Sequence, residues 1–239
     1  MERRIPITHL FDTAEEYFQH NRWLVQRHRN GQLYAGPIDS QYDYLTFYLK
    51  EWVSSPLQSL IVVHYPILAE ESLKGLRVDL VGQFKESNIP VIWLMRGPET
   101  PRKEPVTMHL LRSLTMQVMQ LPQFLKQPQA IDLMSENESH WYLYLSAVLA
   151  QFENIFIVID SSVLSSGQLL SGHPWITTLL VICENHRQRF SEGRYPPEVG
   201  VKVALAICGR GERGLEPPGP HWKDHWSYVD IAREEENLE

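Results

Sequence analysis

Ser72, Asp160 and Arg210 supply a hydroxyl, a carboxylate and a guanidinium that could contact a metal ion or an anion. A hydroxyl and a carboxylate can share a metal ion, and a guanidinium can meet a terminal phosphate. Ser72 closes an eight-residue window, Tyr65-Pro-Ile-Leu-Ala-Glu70-Glu71-Ser72, between an apolar run and a helix-forming stretch. A junction that cradles phosphate would read Gly-x-x-x-x-Gly-Lys-Ser/Thr, its backbone amides wrapping the anion and its lysine neutralising it. Here tyrosine and glutamate stand at the two glycine positions and a second glutamate at the lysine, so only the hydroxyl remains. Two glutamates against a triphosphate repel it by roughly several kcal/mol when poorly screened. Tyrosine and glutamate also resist the backbone conformations that glycine allows.

Asp160 ends an apolar run and is followed by Ser161 and Ser162, with no second acid. A metal ligand at a strand end therefore competes with a capping or loop-organising aspartate. For Arg210 the alternatives are contact with an anion and an ion pair with Glu212 or the acids of the tail. His221 and His225, with Asp224 beside them, could share one helix face, but no third ligand is nearby in sequence and an aromatic surface loop explains them as well. No Gly-x-Ser-x-Gly elbow is present, and Ser165-Ser166-Gly167 does not directly follow a strong strand. The two cysteines, Cys183 and Cys208, fall in core-like segments with no metal or redox spacing. The triplet Asn137-Glu138-Ser139 reads as a helix start with Ser139 as its cap.

The elements that must position these residues follow from periodicity. The Asp12-Thr13 cap opens a helix of about four turns up to Asn30, and the Asp39-Ser40 cap opens another that ends at Ser54-Ser55-Pro56. Apolar runs over 59–65, 88–96, 155–160 and 201–208 predict four strands. Helical patterns over 69–84, 106–121, 139–152 and 174–190 alternate with them, the third apolar almost all round and expected to be deeply buried. Strands alternating with helices imply a parallel sheet, because parallel neighbours need crossovers that cover both faces. The domain reading is a helical extension over 1–55, an α/β domain over 56–212, and an irregular acidic tail over 213–239.

With 43% hydrophobic and 21% charged residues, a chain of this length supports one substantial core. The formal charge of −7 argues against nucleic acid and anionic membrane as partners, though a local basic patch stays open. The start, Met-Glu-Arg-Arg-Ile-Pro-Ile-Thr-His, lacks a signal-like apolar stretch, and no window approaches the ~20 apolar residues of a membrane span. A cytoplasmic protein is expected, with the nucleus as the alternative.

The order of elements resembles the NACHT-type core of P-loop NTPases of the STAND class, as found in fungal multidomain signalling proteins. The likeness is carried by Leu49-Lys-Glu-Trp52 before the first strand and by the helix Met108 to Met119 after the second. Ile155-Phe-Ile-Val-Ile-Asp160 stands as a Walker B strand, and Ala204-Leu-Ala-Ile-Cys-Gly-Arg210 as the strand carrying a sensor arginine. The resemblance covers about 45–212. It implies a parallel-sheet P-loop NTPase-like α/β sandwich, truncated after the sensor strand, with the N-terminal helical extension. Carried over by position, Ser72 matches the metal hydroxyl, Asp160 the magnesium-side aspartate and Arg210 the sensor. Ser161-Ser-Val-Leu164 departs from the acid-bearing pattern expected after Asp160, so the catalytic carboxylate is missing together with the phosphate loop. The expectation is a non-catalytic pseudo-NTPase with no catalytic residues, no cofactor and no metal. It would act as a regulatory or protein-interaction module, with a related NTPase-domain protein as a possible partner. The alternatives are a small-molecule enzyme reusing the cleft at the strand ends and a weak, non-standard ATP binder.

Overall fold

The structure, a computed structural model, describes residues 8–30, 38–55, 59–65, 70–95, 106–122, 135–160, 174–191, 200–208 and 226–230. Helices α1 (Thr8–Asn30) and α2 (Ile38–Ser54) precede strand β1 (Leu60–Tyr65). Then follow α3 (Glu70–Glu86), β2 (Val91–Leu94), α4 (Val106–Gln120), α5 (Glu138–Leu149) and β3 (Asn154–Asp160). Helix α6 (Pro174–Ser191), β4 (Gly200–Cys208) and β5 (Trp226–Asp230) complete the described chain. The five strands form one parallel sheet in the order β2-β3-β4-β1-β5.

The chain moves outward from β1 to β2 and then back through β3 to β4. Right-handed crossovers in both directions require helices on opposite faces of the sheet, and the core is divided accordingly. On one face, Ile61, Val63, Phe156, Val158 and Ala204 pack with α1, α2 and α3 through Phe18, Leu45, Trp52, Val81 and Phe84. On the other, Val62, Ile157, Ile159, Val203 and Leu205 pack with α4, α5 and α6 through Leu111, Leu114, Trp141, Leu145 and Leu180. Phe156 ties the first layer together, stacked on Phe84 with ring centroids 4.2 Å apart and edge-on to Trp52 at 5.6 Å. The first two helices therefore belong to the same core as the sheet.

Several boundaries differ from the sequence reading, each for a local reason. Helix α1 starts before Asp12 and Thr13, which lie inside it. From there on, Ala14, Phe18, Asn21 and Val25 bury one continuous face. Asn21 tolerates burial by donating to the Tyr17 carbonyl at 2.7 Å. The cap of α5 is Asn137, whose Oδ1 accepts the Ser139 amide at 2.9 Å, so Ser139 sits in the first turn. That helix is buried on one face only, with Leu143 60% exposed. Strand β2 is shorter than its apolar run because α3 ends in a left-handed residue, Asn88, at φ 55°. The amides of Asn88 and Ile89 return to the carbonyls of Lys85 and Phe84, the pattern of a Schellman close. Finally, part of the segment read as an irregular tail forms β5, paired with β1 from Leu60↔Trp226 to His64↔Asp230. A five-residue strand with polar alternation beside Pro and Gly gives little signal of its own.

At the opposite edge, Gln117 of α4 covers β2. Its Oε1 accepts the Trp93 amide at 3.0 Å and its Nε2 donates to the Trp93 carbonyl at 2.7 Å. One side-chain amide thus occupies the hydrogen-bonding edge that another strand would use.

Candidate functional site

Ligands of open α/β sheets bind beyond the carboxyl ends of the strands, where successive crossovers leave in opposite directions. Here β1 and β3 flank β4, and the helices that follow them, α3 and α6, lie on opposite faces. The carboxyl ends of β1, β4 and β3 are therefore the place for a site. Asp160 is level there with Ala206 of β4, which in turn pairs with Val63 of β1.

Alternation along β3 turns Ile155, Ile157 and Ile159 toward α4, α5 and α6, and Phe156, Val158 and Asp160 toward α3. The group that α3 sends to Asp160 is Arg77. Its Nη1 is in direct ion-pair contact with Asp160 Oδ1, with both residues 3% exposed or less. Arg77 lies between the core residues Leu76 and Val78, so the guanidinium is as deeply placed as the apolar residues around it. A carboxylate committed to a buried guanidinium is already neutralised, and a divalent cation at that oxygen would have to displace the arginine. An ion pair with Arg77 was not among the roles weighed for Asp160 from the sequence.

Ser72 precedes Arg77 by little more than one turn of the same helix. Its side chain lies outside the described residues, as do Arg210, Ser161, Ser162 and the pair His221 and His225. Glu70 opens α3, so Glu70, Glu71 and Ser72 occupy its first turn. Acidic residues there meet the positive end of the helix dipole, the position an anionic ligand would take.

Three further buried polar groups went unnoticed in the sequence. Lys202 interrupts the apolar run of β4 and faces the α1–α3 layer. Its Nζ donates to the Trp52 carbonyl at 3.0 Å and to the Ser55 carbonyl, closing the C-terminus of α2 with a cation. Burial pulls this amine down from its ordinary value to about 8, against a smaller opposing pull from Cys183. His186 of α6 makes a 2.6 Å hydrogen bond between Nε2 and the Phe152 carbonyl, joining α6 to the approach to β3. His64, near the end of β1, is buried but shares the side of Leu60 and Val62, opposite to Asp160. A charged or imidazole residue inside a β-run is the signal that could have marked Lys202 and His64.

Other chemistry is weakly placed. Ser135 Oγ lies 2.9 Å from His140 Nδ1, a spacing that also suits a nucleophile and base. The same hydroxyl accepts the Asn137 amide at 3.2 Å, while the Ser135 carbonyl accepts Arg112 and the Trp141 indole, each at 2.8 Å. Every one of these contacts fixes the entry to α5. Cys183 is fully buried, and desolvation pushes its thiol up to about 12, leaving no thiolate at neutral pH. Among the described residues no three His, Cys, Asp or Glu side chains converge as metal ligands. No helix among the described residues is long and apolar enough to cross a membrane. Searches of family models, of curated proteins and of solved structures gave no match to this chain.

Proposed function

We propose that this chain is a non-catalytic α/β domain of P-loop NTPase-like type that serves as a regulatory or protein-interaction module. The observation that carries the reading is the buried Arg77–Asp160 pair at the carboxyl end of β3. The resemblance gives Asp160 to magnesium, yet its charge is answered from within the fold. The second support is the start of α3 at Glu70, which puts two glutamates where a phosphate loop would offer amides and a lysine. Loss of phosphate binding and loss of the metal carboxylate are separate changes, and together they remove both halves of nucleotide hydrolysis. Among the described residues the sheet is packed on both faces, the rigid frame that a binding module uses. Its partner is then a protein, a related NTPase-domain protein being one candidate, and the negative net charge argues against nucleic acid.

Titration with Mn²⁺, followed by electron paramagnetic resonance of the free ion with and without ATP, tests this reading. No saturable site on the protein is expected in either titration, the second being read against ATP and Mn²⁺ without protein. A site that appears with ATP and vanishes in Asp160→Asn would restore the nucleotide-binding alternative.

A further inference from the structure

Helices α1 and α3 are fastened at one end by Lys85, whose Nζ meets both oxygens of Glu15 at 3.0 Å and lies over the rings of Phe18 and Trp93. Further along they part around a cavity of about 250 Å³. Phe18, Val25 and Val78 form its apolar side. Gly82 contributes no side chain, and a Cβ built there would meet nothing within 4 Å. Arg22 stands on the α1 wall, with Glu86 and Asp79 on the α3 wall. The side chains of Arg22 and Glu86 have no ion-pair partner among the described residues. On the next strip of α1, Trp23 is 51% exposed and carries Arg27 over its ring at 5.3 Å.

The dimensions and charges select one kind of occupant. A cavity of ~150 Å³ admits a benzene ring, whereas pockets for whole small molecules run from ~300 Å³ upward. The space therefore suits a single bulky side chain better than a metabolite. The acids of the α3 wall repel a nucleic-acid backbone, and opposed charges on the two walls suit a segment bearing both signs. An exposed tryptophan with a stacked arginine beside the cavity is of the residue types that dominate protein interfaces.

We propose that this cavity is a docking point for a protein partner. The partner inserts one bulky apolar side chain between α1 and α3, with an acidic residue against Arg22 and a basic one against Glu86. The inference rests on the interaction-module reading and names the surface that reading leaves open. Panning a displayed library of random peptides, about a dozen residues long, against the immobilised full chain tests it. Recovered peptides are expected to share a bulky apolar residue flanked by an acid and a base. Their synthetic forms should bind in fluorescence polarisation and lose about tenfold or more with Gly82→Phe, which fills the cavity. Arg22→Glu, a change at an exposed site, should shift selection toward peptides without the acid. Unrelated recovered sequences, or peptides that bind wild type and Gly82→Phe alike, would overturn the proposal. Melting curves of both variants establish that they fold. Absence of any peptide binding would overturn the proposal as well while leaving the Mn²⁺ result untouched, so the two readings fail separately.

Discussion

Arg77 and Asp160 show how a residue's role depends on what faces it. Asp160 was visible in the sequence as the last residue of a β-run, but its partner was not. Nothing in the spacing of Leu76, Arg77 and Val78 tells that the arginine turns inward. Breaking one side of a buried pair leaves an uncompensated charge, so Arg77→Met is expected to destabilise the chain by about 3–5 kcal/mol in urea unfolding. The double variant with Asp160→Asn should recover a large part of that loss, and equal instability of single and double variants would mean the pair is not coupled. Lys202 gives a pH signature. Its folded value of about 8 lies below the ordinary 10.5, so between them the unfolded chain holds a proton that the folded chain has released. Stability attributable to this group therefore rises with pH across that window, the burden of the buried charge being fullest below it. The stability of wild type relative to Lys202→Met should climb from neutral pH to about pH 10. A decline would mean that the two α2 carbonyls hold the ammonium more strongly than burial opposes it.

At the scale of elements, apolar periodicity gave the right kind for ten of the eleven described segments, because runs such as Ile155 to Ile159 and the spacing of Leu76, Leu80 and Val81 have one good solution each. The ends were less legible, since a cap is decided by which backbone amides remain open and by neighbouring packing. Ser139 and Asn137 are both acceptable caps by type, and only geometry assigns the role to Asn137. Asn137→Ala is expected to cost about 1 kcal/mol in thermal or urea unfolding, whereas Ser139→Ala should stay within about half of that. Gln117 had no signature beyond being a polar residue on an apolar helix. Replacing it with Leu leaves the Trp93 amide and carbonyl unsatisfied at the sheet edge, at a cost of about 1–3 kcal/mol. The same variant should associate more readily, read by light scattering, because the edge of β2 is uncovered. Unchanged stability and scattering would show that solvent serves that edge equally well.

For the whole molecule, the parallel sheet was legible because strands alternating with helices leave few other topologies. The fifth strand and the integration of α1 and α2 into one core were not, since both depend on long-range pairing. The sequence pointed to the carboxyl ends of the strands as the place for a site, and the group that meets Asp160 there, Arg77 of α3, was not legible in it. The central claim is that the crevice is neutralised from within and holds no nucleotide, which is measured most directly by urea unfolding with and without millimolar magnesium and ATP. A ligand at a hundredfold excess over its dissociation constant adds about 2.7 kcal/mol to stability. The two unfolding curves are expected to coincide. A gain approaching that size, lost in Asp160→Asn, would contradict the claim.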